Sequence, residues 1–312
     1  MTSPEGTACA GGARRALAIV NPATGRRKVE RVEAEIVQAA LGHGLDVEVR
    51  RTQRLGDAER WAAAARGEGF DLLIVAGGDG TVAAALGGSV QVDDPLAIAI
   101  VPLGTGNGLA RALRIPFRPG PALHATLDGR VVAHDVASIE PFGHRFVMFF
   151  GAGYDADVNA DANRHDKRRF GFIAYVRAGL VRLTDRRHHR VTLTLDGRTV
   201  RTRAHTISVF NAGSFAFGDV VLGPRVRPDD GLLDVTVLRE PGAWGTLRDV
   251  TRLILGRSRD GTSWQARSIR VAAEPPLPVH ADGEVLGRTP VAITVLPVRA
   301  RLLAPVSGRA SS

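Results

Sequence analysis

The segment Gly77-Gly78-Asp79-Gly80-Thr81 combines three glycines with a carboxylate and a hydroxyl, a set of groups suited to phosphate chemistry. Glycines let the backbone amides approach a polyphosphate closely, because no side chain intervenes. A carboxylate in such a loop would repel a phosphate unless it serves a cation or accepts a proton. Asp-Gly is also a common turn, so a plain turn is the alternative interpretation. The two further glycines favour a nucleotide site.

Two other loops carry similar residues. Asn21-Pro22-Ala23-Thr24-Gly25 could direct backbone N–H groups at a phosphate, although Asn-Pro and Gly also form ordinary turns. Pro102-Leu103-Gly104-Thr105-Gly106-Asn107-Gly108 adds three more glycines. All three loops follow predicted strands, and the carboxyl ends of parallel strands meet at one sheet edge, where open α/β sheets bind ligands. Neither GxxxxGK[ST] nor GxGxxG follows the first strand, which argues against a P-loop ATPase and an ordinary dinucleotide-binding enzyme.

The elements that must hold these loops follow from the hydrophobic pattern of the first 135 residues. Short β-branched runs alternate with helical patterns and predict strands at residues 16–20, 45–49, 71–75 and 97–101. Five apolar residues share one face of the first predicted helix: Val29, Val32, Ile36, Val37 and Leu41. Asp57 is expected to cap a helix through residues 61–65. The alternation predicts an α/β domain with a parallel sheet.

Beyond residue 135 the pattern changes to short extended runs with turn signals. The runs 191–195 and 199–202, joined by Asp196-Gly197, predict a β-hairpin. Further strands are predicted at residues 207–210, 233–238, 269–272 and 292–296, and helices at 170–183 and 244–255. We therefore expect a second, mainly antiparallel β domain. The predicted domains are 1–135 and 136–297, and the tail 298–312 is free to return to the first.

Size and cysteine content limit the class of protein. A chain of 312 residues and 33.1 kDa is long enough for two domains. The single cysteine, Cys9, has no partner for an internal disulfide, as expected in a reducing cytoplasm. No apolar run reaches the roughly 18 residues that span a bilayer. We expect a cytoplasmic protein whose contact with a membrane is peripheral.

Positive charge is concentrated between residues 164 and 190. Nine basic residues stand there against Asp166 and Asp185, so the segment contributes +7 to a net charge of +9. Such a segment suits an anionic membrane surface, nucleic acid or an acidic substrate, or it is a solvated helix face. Apolar residues between the arginines are typical of a helix at an anionic bilayer. Nucleic acid is not expected, because the segment lacks a recognised nucleic-acid-binding module.

Seven motifs occur in a highly specific order. They are Asn21-Pro22-Ala23-Thr24-Gly25, Gly77-Gly78-Asp79-Gly80-Thr81, Pro102-Leu103-Gly104-Thr105-Gly106-Asn107, Gly151-Ala152-Gly153-Tyr154-Asp155-Ala156, Arg169-Phe170-Gly171-Phe172-Ile173-Ala174-Tyr175, Pro228-Asp229-Asp230-Gly231-Leu232-Leu233 and Asp282-Gly283-Glu284. Through them the chain resembles, over nearly its whole length, the diacylglycerol kinase catalytic-domain family, which includes bacterial lipid kinases and the sphingosine and ceramide kinases. The resemblance implies a nucleotide-binding domain related to those of NAD kinases and phosphofructokinases, a β-sandwich domain, and an active site between them.

The loops and the resemblance together predict the residues that bind ATP. These are Asn21, Pro22, Ala23, Thr24, Gly25, Thr52, Gly77, Gly78, Asp79, Gly80, Thr81, Gly104, Thr105 and Asn107. By the same resemblance, Glu284 would be the general base, and Asp79 would hold the catalytic Mg²⁺ network or deprotonate the acceptor. Asp135 would support this network. A structural Mg²⁺ would be held by Asp230 and by the carbonyls of Arg227 and Leu232.

Two departures from the family pattern leave the acceptor open. Gly108 follows Asn107, where diacylglycerol kinases usually have aspartate, and Ala83-Ala84 follow the second loop in place of Asn-Glu. The leading prediction is a kinase for the hydroxyl of a membrane lipid, with diacylglycerol first and a sphingoid or other lipid alcohol second. The alternatives are an NAD kinase and a non-catalytic nucleotide- or lipid-binding regulator. The expected partners are the lipid and the anionic inner face of the membrane, and a homodimer is left open.

Overall fold

A computed structural model of the chain describes residues 14–22, 26–153, 189–212, 226–239 and 262–306. Ala23, Thr24 and Gly25 of the first loop lie outside these residues, and so do the predicted helices 170–183 and 244–255. Most of the basic segment 164–190 lies outside them as well.

The first sheet holds the loops of the predicted nucleotide site. Its strands are β1 (Arg14–Val20), β2 (Leu45–Arg51), β3 (Leu72–Gly77), β4 (Ala97–Pro102), β5 (Arg130–His134) and, from a distant part of the chain, β18 (Ala300–Ala304). The spatial order is β2-β1-β3-β4-β18-β5, and only β5 runs antiparallel to its neighbour. The predicted parallel α/β layer is therefore confirmed.

Helices cover both faces of this sheet. They are α1 (Arg26–Gly42), α2 (Asp57–Ala64), α3 (Asp79–Ser89), α4 (Gly108–Ala112) and α5 (Pro119–Leu127). Alternate strand residues point to opposite faces, so Leu17 and Ile19 pack into one core with α2 and α3, while Ala16 and Ala18 pack into another with α1. Among the described helices, none combines the length and the apolar character that crossing a bilayer requires.

Two details of these helices differ from the prediction. Val29, Val32 and Ile36 are buried, but Leu41 is 63% exposed, because it lies about 140° around the helix from Ile36. Asp57 does not cap α2 from outside. It is the first residue of the helix, and its Oδ2 accepts the backbone N–H groups of Gln53 and Arg54 at 2.9 and 3.0 Å, which lower the pKa of this carboxyl.

Two antiparallel sheets form the second layer structure. The second sheet contains β6 (Ala137–Glu140), β7 (His144–Phe146), β9 (His189–Leu195), β10 (Arg198–Ala204), β14 (Ser268–Glu274) and β17 (Val291–Val295). The third sheet contains β8 (Phe149–Gly153), β11 (Thr206–Phe210), β12 (Leu233–Leu238), β13 (Ser263–Ala266), β15 (Pro278–Ala281) and β16 (Glu284–Arg288). Their spatial orders are β10-β9-β14-β17-β6-β7 and β13-β12-β11-β8-β15-β16.

The two antiparallel sheets share a single apolar core. Ile139, Phe146 and Leu193 of the second sheet pack in one cluster with Phe150 and Val209 of the third. This arrangement confirms the predicted β-sandwich. The predicted hairpin is confirmed too, since β9 and β10 pair antiparallel across Asp196 and Gly197, whose φ angles of 46° and 86° suit a two-residue hairpin turn.

Candidate active site

A cavity of about 1100 Å³ lies between the first sheet and the sandwich, and we call it the interdomain cavity. The first domain lines it with the ends of the strands and their loops, at Asn21, Pro22, Thr52, Gly77, Gly78, Gly80, Thr81 and Gly104. The sandwich lines it with Phe142, His144, Arg145, Asp282 and Glu284. Glycine loops and the Asp-Gly-Glu motif, separated by some two hundred residues of sequence, thus border one space.

The second and third loops approach each other closely because both have glycine at the contact. A Cβ atom on Gly104 would lie 2.6 Å from the Cα atom of Gly78, closer than two carbon atoms can pack. The Thr81 hydroxyl accepts a hydrogen bond from Asn21 Nδ2 at 2.8 Å, which joins the start of the first loop to the second. By contrast, a Cβ atom on Gly80 would meet nothing within 4 Å. Gly80 therefore leaves open the space that a ligand phosphate would need.

Asn107 closes the third loop on itself. Its Oδ1 accepts the N–H of Gly104 at 2.9 Å, and its Nδ2 donates to the Gly104 carbonyl at 2.8 Å. Its backbone has a φ of 51°, in the left-handed region that Asn tolerates better than most residues. Asn107 and Thr105 do not line the interdomain cavity, so Asn107 shapes the loop that carries Gly104.

Asp79 links the second loop to the third. It begins helix α3, and its Oδ1 accepts the N–H of Gly108 at 2.7 Å. A Cβ atom on Gly106 would lie 2.7 Å from Asp79 Oδ2, so glycine is needed there for the loop to pass the carboxylate. Burial raises the pKa of Asp79, and backbone N–H groups of residues 107–109 act against that rise.

Asp282 lines the interdomain cavity, and the sequence motifs indicated no separate role for it. Its carboxylate accepts three backbone N–H groups, from Val147 at 2.7 Å, Met148 at 3.1 Å and Phe149 at 2.9 Å. Burial nevertheless raises the pKa of Asp282 to about 6, and the negative charge of Asp79 adds to that rise. The Asp-Gly-Glu motif was visible in the sequence, but the three amides that Asp282 anchors could not be found without the fold.

Glu284 stands at the start of β16, immediately after a tight turn. Asp282 and Gly283 in this turn have φ angles of 44° and 85°, and the turn leaves Glu284 exposed at the cavity wall. Burial lowers the pKa of His144, while the charge of Glu284 acts in the opposite direction. A neutral imidazole therefore faces the same cavity as the predicted base.

Arg145 and Glu59 bridge the two domains beside this cavity. Arg145 Nη1 donates to Glu59 Oε1 at 2.7 Å, from β7 to α2. Gly87 of α3 makes room for this contact, since a Cβ atom there would lie 3.2 Å from the Arg145 Cβ atom. The sequence reasoning missed His144, Arg145 and Glu59 because no motif surrounds them.

The predicted second metal site forms a separate group with Asp135. The Asp135 side chain is 0% exposed, and it accepts Arg299 Nε at 2.7 Å and the N–H of Gly231 at 2.6 Å. Asp230 Oδ1 accepts the N–H of Leu232 at 3.0 Å, and Arg227 Nε donates to Asp229 Oδ1 at 3.3 Å. Asp135, Arg227, Asp230 and Leu232 do not line the interdomain cavity, and Asp135 borders a second cavity of about 650 Å³.

A divalent cation fits the pair Asp79 and Asp282 chemically. Burial raises the pKa of Asp282, the negative charge of Asp79 adds a smaller part to that rise, and a bound cation would relieve the repulsion between the two. In the ranges that the structure describes, no cluster of three or more His, Cys, Asp or Glu side chains is arranged around a possible metal position. Mg²⁺ in proteins keeps waters and takes substrate phosphates as ligands besides one or two carboxylates.

Comparison with known proteins matches two family models to successive parts of the chain. The "Diacylglycerol kinase catalytic domain" profile matches residues 15–139, and the "YegS C-terminal NAD kinase beta sandwich-like domain" profile matches residues 149–304. A protein of Stenotrophomonas maltophilia named "Probable lipid kinase YegS-like" is 32% identical over 277 residues, which cover 85% of this chain and 88% of that protein. The chain belongs to the diacylglycerol kinase catalytic-domain family.

Other relatives support this membership of the diacylglycerol kinase catalytic-domain family along the whole chain. The diacylglycerol kinase of Bacillus subtilis is 27% identical over 281 residues, covering 89% of this chain and 92% of that enzyme. A solved structure of a diacylglycerol kinase from Bacillus anthracis has a TM-score of 0.75 at 26% identity, covering 93% and 97% of the two chains. The family resemblance read from the seven motifs is confirmed.

Proposed function

We propose that this member of the diacylglycerol kinase catalytic-domain family is an ATP-dependent lipid kinase. It transfers the γ-phosphate of ATP to the hydroxyl of a membrane lipid, with diacylglycerol as the first candidate and phosphatidic acid as the product. The observation that carries the proposal is the interdomain cavity, which Gly78, Gly80 and Gly104 line from one domain and Glu284 lines from the other. A phosphate donor and a hydroxyl acceptor need such a shared space for in-line transfer.

In the proposed complex, the first domain holds ATP. The close-packed loops at Gly78 and Gly104 give backbone amides access to the phosphates, and Thr52 lies on the neighbouring wall. Asp79 would hold Mg²⁺, and the negative charge of Asp282, which acts on Asp79, would add to the attraction for the ion. When bound, this ion neutralises charge on the transferred phosphoryl group.

Glu284 removes the proton of the lipid hydroxyl in this proposal. Its exposed carboxylate faces the cavity from the sandwich, opposite the glycine loops, so an acceptor between the domains lies within reach of both. A lipid alcohol is a poor nucleophile without a base, and a positioned base commonly contributes about 10²–10⁴ to the rate. Asp135 is too enclosed for this step, because Arg299 and Gly231 already occupy both carboxylate oxygens.

The acceptor has a second candidate, a sphingoid base, because Asn107-Gly108 resembles the sphingosine kinase-like members of the family more than the diacylglycerol kinases. A Cβ atom at position 108 would lie 2.5 Å from Met148 Cε, so Met148 fills the space beside Asp79 that an aspartate at 108 would require. We further propose that the enzyme acts from the cytoplasm on the inner face of the membrane. We also propose that its nucleotide-binding domain spans residues 1–135 and its lipid-substrate domain residues 136–297.

The test uses the purified full-length chain, ATP labelled in the γ-phosphate, Mg²⁺ and vesicles of a total lipid extract, with products identified by mass spectrometry. We expect labelled phosphatidic acid. A parallel reaction supplies NAD in place of lipid. Labelled NADP with no labelled lipid would identify an NAD kinase, and nucleotide binding with no labelled product would identify a regulator.

Glu284→Gln and Asp79→Asn test the two catalytic assignments. Each is expected to lower kcat by roughly a hundredfold or more, because the base or the cation site is lost while the fold is kept. Asp46→Asn serves as the control, since Asp46 is an exposed carboxylate of β2 that does not line the cavity. A Glu284→Gln enzyme with the kcat of the unaltered chain would refute the role of Glu284.

A further inference from the structure

The outer face of the second sheet carries arginines that the proposed reaction does not use. Arg190 on β9, Arg201 and Arg203 on β10 and Arg270 on β14 are all exposed, and we call these four residues the arginine face. The alternate residues of β9 and β14 are buried in the core of the sandwich. Since successive strand residues point to opposite faces, the four arginines share the side that turns away from that core.

The strand register places these charges next to one another. Arg203 lies directly opposite Arg190, while Arg201 and Arg270 lie opposite Thr192 and Thr194 of the strand between them. Like charges directly opposite each other destabilise a sheet. Glu274, opposite Arg190, is the one carboxylate at the described outward positions of the three strands. Across the described ranges, none of the four guanidinium groups makes an ion pair.

Protection of the sheet edge explains only part of this pattern. Charged residues on an edge strand prevent pairing with other chains, and β10 is the edge strand of this sheet. Arg190 and Arg270, however, lie on interior strands whose backbone groups are already paired on both sides. The charge on the interior strands is therefore unfavourable and has no ion-pair partner among the described residues.

The composition of the face selects among possible partners. A second copy bound through a two-fold axis would bring arginine against arginine. Sheets that bind single-stranded nucleic acid stack bases on aromatic side chains, but the outward positions of β9, β10 and β14 hold Arg, Thr, Ser, Ala and one Glu. A lipid bilayer with anionic headgroups is negative over a wide, flat area and needs no stacking platform.

We propose that the arginine face docks the protein on the anionic surface of a lipid bilayer. This inference rests on the proposed function, since it supplies the surface from which a lipid kinase would draw its substrate. The same sheet ends at β7, whose His144 and Arg145 line the interdomain cavity. Four strand spacings separate β9 from β7, a distance of roughly 19 Å. Docking through this face thus holds the cavity close to the membrane.

The test compares two variants that remove equal charge. Arg190→Gln/Arg201→Gln/Arg203→Gln/Arg270→Gln changes the arginine face. Arg14→Gln/Arg114→Gln/Arg118→Gln/Arg130→Gln changes four exposed arginines of the first domain that do not line the cavity. Binding is measured by sedimentation with vesicles of phosphatidylcholine alone and of equal parts phosphatidylcholine and phosphatidylglycerol.

We expect the unaltered chain to prefer the anionic vesicles. The arginine-face variant should lose roughly a hundredfold or more in partition, because each arginine near such a surface contributes roughly fivefold. The control variant should stay within about fivefold of the unaltered chain. The arginine-face variant should also keep its Tm, since it relieves the Arg190–Arg203 repulsion. Equal losses in both variants, or equal binding of the unaltered chain to neutral and anionic vesicles, would each overturn the proposal.

A second substrate separates this inference from the proposed function. A short-chain diacylglycerol that dissolves as monomers does not require docking, so the arginine-face variant should phosphorylate it at the normal kcat and lose activity only on vesicles. If the unaltered chain phosphorylates no lipid while vesicle binding still depends on the arginine face, the proposed function fails and the docking surface stands. Unchanged activity of the arginine-face variant on anionic vesicles would refute the docking proposal, while the proposed kinase function would stand.

Discussion

Two glycines of the phosphate loops differ in what a methyl group would meet. On Gly80 it would enter open cavity, whereas on Gly104 it would press on the Gly78 backbone at 2.6 Å. Gly80→Ala should therefore fold with an unchanged Tm and raise the Kd for ATP about tenfold, or roughly 1.4 kcal/mol. Gly104→Ala should weaken ATP binding too, and should also lower the free energy of unfolding by about 1–3 kcal/mol, because the loops at Gly78 and Gly104 must move apart. Calorimetric titration and thermal melts measure the two effects.

Gly42→Ala provides the matched control for both variants. A Cβ atom on Gly42, at the end of α1, meets nothing within 4 Å, and the residue lies outside the cavity lining. Its Kd for ATP should equal that of the unaltered chain. If Gly80→Ala also binds ATP normally, the phosphates do not lie against this part of the loop.

Strand β12 carries a half-buried carboxylate, Asp234, opposite Gln265 of β13. Burial raises the pKa of Asp234 from 3.8 to about 6, although a hydrogen bond from Gln265 opposes the rise. The folded chain therefore binds the proton more tightly than the unfolded chain, and the free energy of unfolding falls as pH rises from 3.8 to about 6. Asp234→Asn should remove this loss and stabilise the protein by about 1–2 kcal/mol at neutral pH, after allowance for partial exposure.

Urea unfolding across this pH range measures the effect. Asp46→Asn, which removes the same charge from an exposed position of β2, is the control. A parallel shift of the Asp234→Asn stability curve at all pH values, with its slope kept, would show that the carboxylate does not titrate as argued.

At the level of elements, the sequence predicted what is local. The buried runs of β1, β3 and β4 are apolar on both faces, so their strands were found to within two residues at each end. The positive φ angles at Asp196 and Gly197 follow from the Asp-Gly pair. The predictions for Leu41 and Asp57 were wrong, because a single residue type fixes neither the phase of a helix nor the turn before α2. The three amides bound by Asp282 come from the link between β7 and the start of β8, more than a hundred residues away, which no local pattern indicates.

Asp135, between β5 and β6, connects three parts of the chain that are distant in sequence. Its buried carboxylate binds Arg299, just before β18, and the N–H of Gly231, just before β12. Arg299→Met should lower the free energy of unfolding by about 2 kcal/mol, because it leaves the buried Asp135 carboxylate without its cation. The loss stays below that of a fully buried pair because Arg299 is 43% exposed. The double variant Asp135→Asn/Arg299→Met should recover part of the loss.

Arg301→Met is the control for this prediction. Arg301 lies two residues further along the chain and pairs with exposed Asp94 at 3.5 Å, so its loss should cost less than about 1 kcal/mol. Urea unfolding of the four proteins measures the series. A double variant less stable than Arg299→Met would show that the carboxylate is stabilised by Gly231 alone.

Strand β18 lies between β4 and β5, so residues 300–304 complete the first sheet. During synthesis on the ribosome, β4 and β5 leave the exit tunnel long before the strand that separates them in the sheet. The first sheet of the nascent chain therefore lacks the strand between β4 and β5 until the sandwich has been translated. The nucleotide-binding layer can become whole only after the strands of the sandwich have been translated, and not when its own first 135 residues are complete.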